Sequence, residues 1–288
     1  MLIILRTRVL ISPHTVETPI YRIWSPIVSK ITNKAYLHNN ASPTIDPKDL
    51  FQANPRILKT YWDPKGPFKI IHDFNCIRLP YLKDSIADRP GEKLSTCLRG
   101  KKILDVGCAG GMLSEGLAMF GAEVTGIDAS KELIEVAKSH SSKDNRLANK
   151  MPTYILSTIE EHCNEFADSY DALIASEIID HVNEKELFVE SCVRVTKPGG
   201  KLYFTAPNKT RFAQFYMIFM FENVLKCFPK NGHQYEKFVG VSQLQHMLEM
   251  NDCHVVSTRG SFYYPWSQTW AWTHTKMLSY ALEAVKSS

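Results

Sequence analysis

The 288-residue chain has no run of about 20 uninterrupted apolar residues, the length a membrane-spanning helix needs, and this excludes an integral membrane protein of that kind. No two of its seven cysteines (Cys76, Cys97, Cys108, Cys163, Cys192, Cys227 and Cys253) stand two or three positions apart, so it has neither a CxxC redox pair nor a zinc knuckle. Their odd number fits reduced thiols, mostly buried as small hydrophobes. There is no internal repeat and no low-complexity segment. A basic body is also missing. The formal net charge of +4 is confined to the first 40 residues, where Arg6, Arg8, Arg22, Lys30 and Lys34 face one acid, Glu17; the rest of the chain carries 29 bases and 29 acids. That balance argues against a nucleic-acid partner.

What is present is an ordinary globular mixture, 44% hydrophobic and 22% charged, able to bury a sizeable core. The N-terminus, MLIILRTRVLISPHTVETPIYRIWSPIVSK, combines Arg, Ser and Thr with aliphatics and almost no acid. This is the composition of a mitochondrial transit segment; Arg6 and Arg8 interrupt the apolar run too early for a secretory signal. We therefore expect a transit segment over 1–40, a polar linker over 41–60 and one domain over 61–288.

From Lys102 onward, strand and helix patterns alternate. KILDVG (102–107), EVTGID (123–128), TYILS (153–157), DALIASE (171–177) and KLYFTAP (201–207) read as strands. MLSEGLAMF (112–120), KELIEVAKSH (131–140) and EKELFVESCVRV (184–195) read as the helices between them, the last stopped by KPGG. VSQLQHMLEM (241–250) predicts a further helix, CHVVSTRG a sixth strand and TWAWTH a last, seventh one. Such alternation predicts an α/β fold with a mostly parallel sheet covered by helices on both faces. One stretch breaks the rhythm. Phe212–Phe228, FAQFYMIFMFENVLKCF, is apolar at thirteen of seventeen positions, which is too short to cross a bilayer and too greasy all round for a solvated helix. It reads as a buried core helix or as a lid facing lipid.

Two clusters carry chemistry. LDVGCAGG follows the first strand, where Gly107, Gly110 and Gly111 let the backbone turn tightly and approach a ligand, and the next helix offers its N-terminal amides. Asp128 ends the second strand, where doubly wound folds place an acid on ribose hydroxyls. A nucleoside ligand follows. Because Ala109 stands where GxGxxG has its second glycine, the spacing does not suit a dinucleotide pyrophosphate. After the fourth strand, SEIIDH offers Ser176, Glu177, Asp180 and His181. On a helical turn Glu177, Asp180 and His181 share a face and suit a divalent cation with open positions. The alternative is a helix start in which Asp180 is merely a cap.

DVGCAGG resembles motif I of the class I S-adenosylmethionine-dependent methyltransferases, with Asp105 as its upstream acid. The likeness widens with YWD (61–63), FNCIRLPYL (74–82), GAEVTGID, SEIIDHV, VTKPGG, NKT (208–210), PKNGHQYEKFV (229–239) and FYYPWSQTWAW. Together these resemble the ubiquinone-biosynthesis O-methyltransferase family, from about Leu50 to Ser288. The resemblance implies a single Rossmann-like domain with a seven-stranded sheet and an apolar helical insertion at about 209–238. It implies S-adenosylmethionine held by Arg78, Gly107, Asp128 and Ser176, with Arg78 on the cofactor carboxylate, and Mg²⁺ or another divalent cation held by Glu177, Asp180 and His181. The implied substrates are polyprenylated catechols, polyprenyl-dihydroxybenzoate and demethylubiquinol. The implied setting is the matrix side of the mitochondrial inner membrane, beside other ubiquinone-biosynthesis proteins. His233 is a candidate general base, and Lys209 and Lys230 candidate contacts for a substrate carboxylate or phospholipid. Three departures stand out. Ala109 replaces a family glycine, expected to be harmless; Asp180 replaces the usual Glu; Tyr264 replaces a common Asn. A nicotinamide-dependent dehydrogenase and a non-catalytic lipid-binding subunit are the rival readings. The absent GxGxxG opposes the first, and the presence of Asp128 and Glu177 opposes the second.

Overall fold

The structure is a computed structural model that describes residues 58–88, 95–224 and 234–288. The segment read as a transit peptide, most of the linker, and Lys226, Cys227, Lys230 and His233 lie outside the described residues.

The described elements run α1 (Lys69–Ile86), β1 (Lys102–Val106), α2 (Met112–Met119), β2 (Glu123–Asp128), α3 (Lys131–Ser141), β3 (Thr153–Leu156), β4 (Tyr170–Ser176), α4 (Lys185–Val195), β5 (Thr196–Pro207), a π-helix (Gln214–Val224), α5 (Val241–Glu249), β6 (Cys253–Tyr264), β7 (Thr269–Thr273) and β8 (Ser279–Lys286). They form one sheet in the order β3-β2-β1-β4-β5-β8-β6-β7. β1 to β5 are mutually parallel, and β8 runs antiparallel to both β5 and β6. The sheet thus has eight strands among the described residues, not the expected seven, and TWAWTH is an edge strand rather than the last. The missed strand, SYALEAVK, has a helix-former composition, but its first six residues are buried between two strands, and tertiary pairing overrides propensity.

The two faces of the sheet are sorted residue by residue. Leu104, Leu173, Leu202 and Phe204 pack with Phe188 and Val189 of α4 and with Leu244 and Leu248 of α5. Their neighbours Ile103, Ala172, Ile174 and Tyr203 point the other way, onto Leu82 of α1 and Leu113 and Leu117 of α2. This period of two follows from the pleat, and helices on both faces explain why the central strands read as continuous apolar runs.

Strand order reverses at β1, whose neighbours are β2 on one side and β4 on the other. A ligand crevice is expected there, beyond the carboxyl ends of the strands. Of the seven cysteines, Cys97, Cys108, Cys163, Cys192 and Cys253 are buried, as expected, whereas Cys76 is exposed.

The described part of the apolar stretch after β5 is core on one side and exposed on the other. Ala213, Met217 and Phe221 are buried against Ile70, Phe238, Tyr263 and Leu278, while Phe215 and Phe219 are each 52% exposed and stack on one another at 5.3 Å. Phe221 is therefore core and is not available to a membrane. No helix among the described residues is long and apolar enough to cross a membrane.

Candidate active site

The carboxyl ends of β1, β2 and β4 bring Gly107, Asp128 and Ser176 together, and α1 adds Arg78. Gly107 has φ +72°, and a Cβ there would lie 2.9 Å from the Ile178 side chain, so glycine is required on both counts. The loop is tied to Asp128: Ala109 N donates to Oδ2 at 2.9 Å, and Ser130 N donates to Oδ1 at 2.8 Å. Burial raises the Asp128 carboxyl above its ordinary range, and these amide bonds oppose the rise. Each oxygen retains accepting capacity, which is what two ribose hydroxyls need.

Arg78 is 5% exposed. Its Nη1 donates to Ser176 Oγ, and its Nε and Nη2 donate to Asn75 Oδ1 at 3.0 and 2.6 Å. Burial pulls its pKa down, while Asp105 and Glu177 hold it up. A buried guanidinium bonded to Ser176 and Asn75, with two carboxyls nearby, can also receive the carboxylate of an amino acid. Asp105, buried beneath the loop, accepts from Ser114 Oγ at 2.6 Å, and desolvation pushes its carboxyl up to about 6 against the pull of Ser114 and Arg78. These residues form a cradle that could hold S-adenosylmethionine: Asp128 offers a carboxyl, Arg78 a cation, and Gly107 stands where the backbone turns.

Ser176 and Glu177 are joined by a residue the sequence did not single out. Thr205, at the carboxyl end of β5, shares a 2.6 Å bond with Ser176 Oγ and donates to Glu177 Oε1 at 2.6 Å. The only available hint was its place at the end of KLYFTAP, beside β4.

The three acidic and imidazole residues do not stand on one helical face as the spacing suggested. β4 ends at Ser176, Glu177 sits outside any helix at φ +56°, and only Ile179–His181 form a turn, of the 3-10 type. A left-handed conformation at a non-glycine residue costs about 1–3 kcal/mol and clusters at functional sites. No group of three or more His, Cys, Asp or Glu side chains among the described residues is arranged to hold a metal ion. The donor chemistry nonetheless fits a cation in one respect. Asp180 is 4% exposed and its Oδ1 has no hydrogen-bond partner, while its Oδ2 lies 3.7 Å from His181 Nε2. Such an orphaned buried carboxylate oxygen is costly without a cation or donor.

Ala109 adopts φ +47°, so the departure from the family glycine is not neutral. A left-handed alanine costs about 1–2 kcal/mol, part of which glycine returns as unfolded-state entropy. Ala109→Gly is expected to stabilise the fold by about 0.5–1 kcal/mol, read as a raised midpoint of denaturant unfolding. A lowered midpoint would contradict the strain. Tyr264, the third departure, packs in a ring chain with Phe262 at 5.0 Å and Trp266 at 5.3 Å.

A mostly parallel sheet with this strand order, a glycine loop after β1 and an acid at the end of β2 define a class I methyltransferase fold. Residues 104–204 match a family model described as a methyltransferase domain. Among solved structures, magnesium protoporphyrin IX methyltransferase from Synechocystis with bound SAM superposes with a TM-score of 0.56 at 18% identity, covering 86% of this chain and all of that one. A possible histamine N-methyltransferase from Thermotoga maritima gives 0.54 at 15%, covering 80% and 96%. At such identities the likeness is one of fold.

Relatives in sequence are more specific. The mitochondrial ubiquinone biosynthesis O-methyltransferase of Rattus norvegicus is 39% identical over 86% of this chain and 71% of its own length. The human one is 37% identical over 88% and 68%, and that of Rhizobium rhizogenes 32% over 85% and 97%. The chain belongs to the ubiquinone biosynthesis O-methyltransferase family.

Proposed function

We propose that this chain methylates a catechol hydroxyl of a polyprenylated ring, with polyprenyl-dihydroxybenzoate and demethylubiquinol as substrates, S-adenosylmethionine as donor and a divalent cation as cofactor. The observation that carries the reading is the convergence of Arg78, Asp128 and Ser176 on the loop at Gly107, with the Glu177–His181 segment directly following. When bound, S-adenosylmethionine supplies an electrophilic methyl group, and a divalent cation supplies the charge that favours a phenolate over a phenol of pKa about 10.

The chain's own residues bind and orient. Asp128 holds the ribose and Arg78 the amino-acid carboxylate, which fixes the sulfonium. The relay Arg78–Ser176–Thr205–Glu177 couples that end of the cofactor to the acidic segment. Asp180 and His181 are donors suited to the cation, and Glu177, whose Oε1 accepts from Thr205, is the third of the set. The gain is chiefly alignment of oxygen, methyl and sulfur. Steady-state kinetics with a short-chain prenylated catechol and the matching monophenol test the proposal. Turnover of the catechol alone supports it, and equal turnover of both removes the role of the paired oxygens.

The same reading places the enzyme on the matrix face of the mitochondrial inner membrane. It is supported by the exposed Phe215–Phe219 pair with the exposed base Arg211 one turn before it, since aromatic rings suit the acyl boundary and each nearby base adds about 1 kcal/mol toward anionic headgroups. The double variant Phe215→Ser/Phe219→Ser is expected to lose most of its co-sedimentation with anionic liposomes while remaining folded. Equal sedimentation of variant and wild type would make the pair an ordinary lid surface.

A further inference from the structure

We propose that Trp62, His140 and Glu115 are positioning residues that clamp the cofactor loop, an inference resting on the cofactor site proposed above. None of the three touches the Arg78–Glu177 relay, yet each belongs to an element that carries part of the site. Trp62 lies in the strap that precedes α1, the helix of Arg78. Glu115 lies in the first turn of α2, which follows the glycine loop. His140 lies in the last turn of α3, the helix that starts three residues after Asp128.

Contacts between them are specific. Trp62 Nε1 donates to the Gly110 carbonyl oxygen at 3.0 Å, so the indole is bonded directly to the loop. Its ring lies flat on the His140 imidazole, with centroids 3.5 Å apart and planes at 3°. His140 Nδ1 is 2.9 Å from both carboxylate oxygens of Glu115, a side chain 1% exposed. A carboxylate buried that deeply requires a partner, and the His140 imidazole provides one. The pair with Glu115 fixes the plane of the ring, and the ring fixes the plane of the indole. Tyr61 completes the strap: it is 3% exposed, and any side chain at Gly110 would run into its ring. His72 of α1 returns the connection, its Nε2 lying 3.3 Å from the Tyr61 carbonyl oxygen and its ring edge-on to Trp62 at 6.0 Å.

The strap, α1, the loop, α2 and α3 are thereby closed into one circuit around the place where the cofactor is held. The Gly110 carbonyl cannot move without breaking the bond to Trp62, and Trp62 cannot turn without leaving His140. Cofactor affinity should therefore depend on a cluster that does not contact the cofactor.

The test compares Trp62→Phe, which keeps an aromatic face but loses the donor to Gly110, with His140→Ala, which also leaves Glu115 without its imidazole. Trp62→Phe is expected to raise KM for S-adenosylmethionine and Kd for S-adenosylhomocysteine about 3- to 10-fold, the range for one lost hydrogen bond, with kcat changed less than twofold. His140→Ala is expected to give the larger rise in Kd and to increase Trp62 emission, measured as the part of the fluorescence absent from Trp62→Phe. If His140→Ala does not fold, Trp62→Phe decides the matter alone. A folded Trp62→Phe with unchanged KM and Kd overturns the clamp, whether or not its melting temperature falls. Wild-type protein that fails to bind S-adenosylhomocysteine would instead overturn the cofactor site itself.

Discussion

Replacing Asp128 with alanine is expected to weaken S-adenosylhomocysteine binding by about 1.5–3 kcal/mol, roughly 10- to 150-fold. Two losses combine in that figure. The ribose hydroxyls lose a charged acceptor, and the glycine loop loses the anchor that holds Ala109 N at 2.9 Å. Because the carboxyl also accepts from Ala109 N and Ser130 N, its removal should cost some stability as well, so affinity is read on variants shown to be folded. Asp128→Asn, which keeps one acceptor oxygen, should fall between the two. Calorimetry on the folded variants is the check, and wild-type affinity in Asp128→Ala would remove Asp128 from the cofactor site.

Asp180→Ala is expected to behave in the opposite way from an ordinary buried substitution. Large-to-small changes in a core usually cost stability. Here the deleted group includes a buried oxygen without a partner, so stability should be unchanged or raised. Activity should nevertheless fall by about 100-fold or more, because a cation supplies several kcal/mol of charge stabilisation in such reactions. Binding of S-adenosylhomocysteine should be unaffected. Thermal unfolding and kcat/KM measured on the same preparation decide the point. A strongly destabilised variant would make Asp180 a structural residue, and full activity would take it out of the cation site.

Much of this architecture is legible in the residues. The strand–helix alternation from Lys102 to Pro207 predicted β1 to β5 and the helices between them because a doubly covered parallel sheet needs short apolar strands closed by glycine or polar turns. The glycine loop and Asp128 were readable for the same local reason. What was not legible depends on distant partners. Ser279–Lys286 carries helix-forming residues and becomes a strand only because β5 and β6 offer their edges. Residues 69–86 contain Pro80, a helix breaker by composition, yet they form one helix whose buried face includes Phe74, Arg78 and Leu82. Helical spacing suggested a shared face for Glu177, Asp180 and His181, but the left-handed turn at Glu177 is a backbone choice that residue types do not announce. Thr205 and the Trp62–His140–Glu115 cluster unite residues far apart in the chain, and no local pattern marks such meetings.

The central claim, methyl transfer to a ring oxygen, is tested most directly by isotope transfer. The full chain is incubated with a short-chain prenylated catechol, a divalent cation and S-adenosylmethionine labelled in its methyl group, and the product is located by mass spectrometry and NMR. The account predicts one labelled methyl group on one catechol oxygen, with about 10- to 150-fold less labelled product from Asp128→Ala at limiting donor and none in excess chelator. Label on a ring carbon, or no labelled product from folded protein that binds S-adenosylhomocysteine, would contradict it.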